Sequence, residues 1–216
     1  MPTKIEIGSA TIHRVVEQEG PFFEAMQFFP TMTRELLDEN RGWLQPRFLD
    51  ATDQLMLCIQ SYIVKTPHHT IMIDSCVGNH KPRPTRSFWH MMNSLREEPR
   101  GKAANRVDIV KSAHAFNDLV TLIPTPGHTI DHYSVQIGKP GADAVITGDM
   151  VHSPLQARYP ELGMMSDYDS GQAAVSRREL FGRFCDTSTL MCTAHFPSPS
   201  TARVVRWKDA FDLIDV

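Results

Sequence analysis

Short runs of alternating apolar and polar residues dominate the chain, broken by three segments of helical period. Ile5-Glu6-Ile7 and residues 11–17 read as two strands turned at Gly8-Ser9-Ala10. The run LMLCIQSYIV, within residues 55–65, is apolar and β-branched, as a buried strand requires. Residues 70–74 form its partner across Pro67-His68-His69. Further strands are predicted at 107–110, 119–123, 132–137, 144–147 and 190–193, punctuated by Gly127, Gly138-Lys139-Pro140-Gly141 and Gly148. A closing hairpin follows at 204–207 and 211–216. The 3.6-residue period marks a short helix over 34–40, capped by Thr33 and stopped near Gly42, one around 87–96, and a longer one over 169–185. In the last, Ala173, Leu180, Phe181 and Phe184 share the inner face, with Arg177, Arg178 and Arg183 mostly outside it. Residues 18–50 hold Phe22, Phe23, Phe28, Phe29, Trp43 and Phe48 among three prolines, which reads as a covering loop or as the wall of a ligand pocket. Strand pairs alternating with helices in both halves define an α/β architecture whose sheets are covered by helices.

Composition narrows the function classes. The 216 residues carry 22 Lys and Arg against 25 Asp and Glu, a net charge of −3. That balance argues against nucleic acid or an anionic membrane as the main partner. Residues 81–111 are locally basic, with Phe88 and Trp89 nearby. A phosphate backbone could use such a stripe, but a solvated face accounts for it. No apolar run approaches the roughly 20 residues of a membrane span, and residues 1–20 offer no apolar core for a secretion leader. Cys58, Cys76, Cys185 and Cys192 form no C-x-x-C pair, so they read as reduced, mostly buried thiols of a cytoplasmic protein. Length fits one domain, residues 1–216.

Three motifs carry candidate chemistry. Thr125-Pro126-Gly127-His128-Thr129 follows the strand LVTLIP, Thr147-Gly148-Asp149-Met150 follows ADAVI, and Thr193-Ala194-His195-Phe196-Pro197 follows TLMC. Each sets one metal-binding side chain where a strand runs out into a loop. Glycine beside His128 and Asp149 permits a sharp turn and close approach. Two imidazoles and a carboxylate suit zinc or another divalent ion. One such motif is an ordinary turn; three in order, each after an apolar strand, form a pattern.

With TPGHTIDHYSV, AVITGDM followed by His152, and TAHFPSP, the second half resembles the metallo-β-lactamase superfamily in its metal-dependent hydrolase branch. The first half is similar through TIMIDSCVGN and SFWHMMNS. The likeness comes nearest to members that open lactones, esters or organophosphates. It implies an αβ/βα sandwich with two metal ions at one edge and a metal-bound water attacking a small-molecule substrate. It also implies that His128 binds one ion, His195 the other, and that Asp149 bridges them as the catalytic carboxylate. His132 and His152 would orient ligands or substrate from behind.

One element of that family is missing. Its most specific motif, H-x-H-x-D-H, is matched by none of the ten histidines. The interval where it belongs is reduced to residues 95–105, so the sandwich is expected to be incomplete in its first half and the chain internally shortened there. Two protein ligands per ion make a poor site, which predicts weak or incomplete loading. His90 and His114 flank the interval but read as a packed helix histidine and a strand-end residue. Asp74 reads as a structural acceptor and His68 and His69 as a hairpin tip. The loss of sheet cover predicts a homo-oligomer, and the resemblance implies pairing through N-terminal halves. Two functions therefore stand: a zinc-dependent hydrolase of the lactonase or esterase type, or a shortened, catalytically impaired member acting by binding or association.

Overall fold

The structure is a computed structural model that describes residues 4–74, 82, 84, 91 and 114–215. Two sheets pack face to face. The smaller has the order β1 (Lys4–Ile7), β2 (Ala10–Glu24), β3 (Gln54–Lys65), β4 (Thr70–Ile73), all antiparallel. The larger has the order β11-β10-β9-β8-β7-β6-β5, comprising β5 (Ala115–Asn117), β6 (Val120–Pro124), β7 (Tyr133–Lys139), β8 (Ala142–Ile146), β9 (Leu190–Cys192), β10 (Thr201–Trp207) and β11 (Ala210–Asp215). Its neighbours are antiparallel except β8 and β9.

The two-residue period of the strands divides the core into layers. Ala144 and Ile146 of β8 face the smaller sheet, where they join Ile12, Tyr62, Val64 and Ile137. Val145, between them, faces the opposite way and packs with Leu180, Phe181 and Phe184 of α4 (Ser170–Phe184). Strand β8 is thus buried on both faces, which explains its unbroken apolar run.

Residues 18–50 are built structure rather than a loop. Strand β2 continues to Glu24, past the predicted end at Glu17, with irregularities between Val16 and Gln18 and between Pro21 and Phe23. Its second half pairs with β3 alone, because β1 reaches no further than His13. Pro21 is tolerated there, where one side of the strand needs no donor. Helices α1 (Ala25–Phe28) and α2 (Arg34–Leu44) follow. The Thr33 hydroxyl caps α2 by accepting from the Leu36 amide. The helix runs through Gly42 because Leu44 is fully buried and Trp43 packs on the same cluster; that burial outweighs the roughly 1 kcal/mol a mid-helix glycine costs. Phe28, Phe29, Leu37, Leu44 and Leu55 form this third cluster with Leu155 of α3 (Leu155–Arg158) and with Leu162.

Helix α4 corrects one expectation. Arg177 is buried, 1% exposed, instead of lying outside the apolar face. Its guanidinium donates to the carbonyls of Pro160 and Met150 at 2.7 and 3.3 Å. Cys58 and Cys192 are fully buried and Cys185 is partly exposed. The predicted strand at 107–110, the helix at 87–96, the basic stripe at 81–111, His90, Cys76 and the shortened interval 95–105 lie outside the described residues, apart from isolated positions of the stripe and helix.

Candidate metal centre

Strand direction gathers the three motifs. Strands β6, β7 and β8 alternate in direction, and β9 runs parallel to β8. The C-terminal ends of β6, β8 and β9 therefore lie on one rim of the larger sheet, together with the N-terminal end of β7. His128 follows β6, His132 immediately precedes β7, Asp149 follows β8 and His195 follows β9.

The side chains converge there on Asp149. His195 Nε2 lies 2.7 Å from Asp149 Oδ1, and His128 Nε2 lies 3.3 Å from Oδ2. Asp149 is the most open of the three, its side chain 36% exposed against 14% for each histidine.

The far nitrogen of each imidazole is fixed from behind. His128 Nδ1 donates to Asp167 Oδ1 at 3.0 Å. Asp167 is itself buried; its Oδ2 accepts from the Met164 amide and faces Arg177 at 3.9 Å. His195 Nδ1 donates to the Cys58 carbonyl at 3.1 Å, while the Cys58 amide donates back to the His195 carbonyl at 2.9 Å. That clasp ties the rim to β3 of the other sheet. Gln60 and Tyr62, also on β3, both donate to the Thr193 carbonyl. An imidazole with one nitrogen held by a carboxylate or carbonyl and the other aimed inward is the arrangement of metal-binding histidines.

His132 has no nitrogen to spare. Its Nε2 accepts from the Asp149 amide at 3.0 Å, so its proton sits on Nδ1, which faces Thr125 Oγ1 at 2.8 Å and the Thr125 carbonyl at 3.1 Å. The relay continues from Thr125 Oγ1 to Ser134 Oγ at 3.1 Å, and Ser134 donates to the Thr147 carbonyl at 3.0 Å. It begins and ends on the turn that presents Asp149. Gly148, at φ +56°, belongs to that turn; a Cβ there would lie 2.8 Å from His132 Nε2.

His152 is buried beside the cluster. Its ring stacks on His195 at 4.4 Å with 6° between planes and meets Phe28 edge-on. Its amide donates to Gln156 Oε1 at 2.7 Å. Its Nδ1 is buried and finds no hydrogen-bond partner among the described residues.

The charges follow from this packing. Burial opposes protonation of His128, but ion pairs with Asp149 and Asp167 prevail and raise it to about 9. His195 is raised too: burial opposes, and Asp149 and the Cys58 carbonyl outweigh it. Burial works against the Asp149 charge, yet His195 and His128 hold its carboxyl well below the ordinary range. His152 and His132 are pushed down chiefly by burial and stay neutral. Protonation is thus favoured at the inward nitrogens of His128 and His195, where a cation fits.

All five candidates from the sequence, His128, Asp149, His195, His132 and His152, meet at this rim. His114 does not join them in any described contact; it precedes β5 with its ring against Phe116. His68 and His69 are exposed on the β3–β4 turn. Asp167 and Arg177 were missed. Arg177 lies four residues from Ala173 and from Phe181, on the stripe the helical period buries, which is the signal that reveals it.

Comparison with known proteins identifies the fold. The profile of the Metallo-beta-lactamase superfamily matches residues 80–183, a span holding His128, His132, Asp149, His152 and Asp167. Among solved structures, AidC, a dizinc quorum-quenching lactonase, superposes with a TM-score of 0.78 at 14% identity, over 99% of this chain and 96% of that one. The hydrolase AbOPH of the beta-lactamase superfamily gives 0.72 at 16%, over 99% and 96%. A probable metal-dependent hydrolase from Staphylococcus aureus gives 0.71 at 12%, over 98% and 99%. No curated protein matches at the sequence level. The chain has the metallo-β-lactamase fold and is similar to the metal-dependent hydrolases of that superfamily.

Proposed function

We propose that the chain is a metal-dependent hydrolase acting on a small lactone, ester or similar substrate. The observation that carries this is the convergence of His128 and His195 on Asp149, each histidine oriented from behind by Asp167 or the Cys58 carbonyl. Two imidazole nitrogens and a carboxylate fit zinc or another borderline divalent ion, and the unpartnered buried Nδ1 of His152 adds a donor. When bound, such an ion activates water and stabilises a developing oxyanion.

The protein groups have separate duties. His128 and His195, which converge on Asp149, are the residues that would hold the ion with it. Asp149 is ionised and open to the surface, so its carboxylate is placed to accept a hydrogen bond from an attacking water and orient it. His132 fixes the backbone of Asp149 through its amide. Exposed Met165 and Tyr168 are tied by their amides to Phe28 and His128, and offer an apolar rim to the body of an acyl substrate.

The absent H-x-H-x-D-H motif favours a second reading, a non-catalytic member that binds or associates. One assay separates the two. The zinc-loaded chain is offered γ-lactones and aryl esters in a pH-stat. Turnover abolished by Asp149→Asn supports the hydrolase. Loaded protein with no turnover on either class refutes it.

A further inference from the structure

We infer that His152 is itself a metal ligand and completes, with His128 and Asp149, a single three-ligand site. This rests on the metal-dependent reading above, sets one ion where the family resemblance implies two, and makes His195 a brace on the carboxylate in place of a ligand.

The missing motif is the starting point. Without it, His128 and His195 leave each of two ions with one histidine and a shared carboxylate. The structure offers one further donor at the same place. His128, Asp149 and His152 each present a ligand atom, all within 4.8 Å of one another. Ligands held 2.0–2.2 Å from one ion lie at most about 4.4 Å apart, so small side-chain rotations bring the set together. Two imidazoles, one carboxylate and an open fourth position match the donor count of a catalytic zinc site.

The local chain explains why His152 can serve. It stands three residues after Asp149, just past the tight turn Gly148–Met150, so both side chains issue from one short rigid segment. The His152 amide is pinned by Gln156, and stacking on His195 sets the ring plane. His152 is 5% exposed, and its Nδ1 finds no hydrogen-bond partner among the described residues. His132 differs: both of its nitrogens are engaged, so it cannot ligate without breaking its hold on Asp149. His195 then grips Asp149 Oδ1 and orients the carboxylate toward the ion.

The test uses chelator-buffered Co2+ and the full chain. One ion per chain is expected, with ligand-field absorption reporting its coordination. His152→Phe keeps the stacked ring and removes the donor. A group behind a ligand costs about 10–100-fold in affinity when lost, so a direct ligand must exceed ~100-fold, with a changed cobalt spectrum. His195→Asn serves as the contrast and is expected to lose less. Two ions per chain, or one ion whose affinity and spectrum ignore His152→Phe, overturns this assignment and leaves the hydrolase reading standing. No ion bound to the wild-type chain overturns both. Long-range 1H–15N NMR on the zinc-loaded wild-type protein gives the answer without any substitution: a His152 ring nitrogen at a metal-bound shift is expected, and one unmoved from the metal-free protein refutes the inference.

Discussion

On the proposed metal-dependent reading, metal uptake by this site expels protons, and the charges around His128 set the expected number. In the metal-free chain His128 carries protons on both nitrogens, because Nδ1 faces Asp167 and Nε2 faces Asp149, and its pKa stands at about 9. The inward proton has to leave before Nε2 can bind an ion. Below pH 9, each unit of acidification therefore costs about tenfold in apparent affinity for that proton alone, or about 100-fold between pH 9 and pH 7. His195 is raised as well, and the count exceeds one where its proton is also displaced. Asp149 is already ionised, and His152 and His132 are neutral, so they release nothing. The expectation is between one and two protons released per ion at pH 7. Calorimetry in buffers of different ionisation enthalpy counts them, and chelator-buffered zinc titrations at pH 7, 8 and 9 measure the slope. The same groups give the metal-free protein the opposite trend. A raised histidine stabilises fully below its unfolded value of 6.5, and that contribution is lost as pH rises through about 9. Metal-free protein should thus weaken toward alkaline pH while zinc-loaded protein does not. Affinity flat between pH 7 and 9, with no protons released, would show that the ion does not displace the His128 proton.

Replacing Asp167 by Asn removes the charge behind His128; metal affinity at pH 9, where proton competition is nearly over, is expected to fall about 10–100-fold, read by the same chelator competition. Gly127→Ala would set a Cβ 2.2 Å from the Ala173 amide nitrogen at a residue with φ +132°. Because the clash is with helix backbone, the loop carrying His128 must shift, at a cost of about 1–3 kcal/mol in urea unfolding and with reduced metal content by elemental analysis. Among the described strands β4 is an edge of the smaller sheet, and Met72 on it is 45% exposed. We expect the chain to self-associate through that half, seen as a mass above 24.4 kDa by light scattering across micromolar dilution; a concentration-independent monomer would refute this.

The strands were legible because each carries its own signal, an apolar run closed by glycine, and the three strand-end motifs announced a common rim. What joined them was direction. A strand-end ligand after β6, β8 and β9 meets the others only if those three strands point the same way, which follows from the β7 antiparallel step and the parallel β8–β9 pair. The sheet extension to Glu24 was hidden by Gly20 and Pro21, residues that end most strands but are permitted where a strand has one neighbour. Asp167 was hidden for another reason. It sits among Ser166, Asp169 and Ser170, where an acidic residue ordinarily caps the next helix, and Asp169 does that work by accepting from the Gln172 amide. Only the fold shows that its neighbour turns inward to His128.

This division explains how the site keeps its shape without the family's central motif. Asp149 is held by hydrogen bonds from three directions: its backbone through His132, and its two carboxylate oxygens through His195 and His128. His132 is supported by Thr125 and Ser134, His128 by Asp167, and His195 by Cys58. Among the described residues those supports lie on β3 and β7, in the segment between β6 and β7, and in the segments after β8 and β9. A carboxylate braced in this way needs no ion to stay in place, since His195 and His128 engage its two oxygens. The metal-free chain is then a folded protein with a preset cation seat: His128, Asp149 and His152 bring three ligand atoms within 4.8 Å of one another, and His195 braces the carboxylate from its other oxygen.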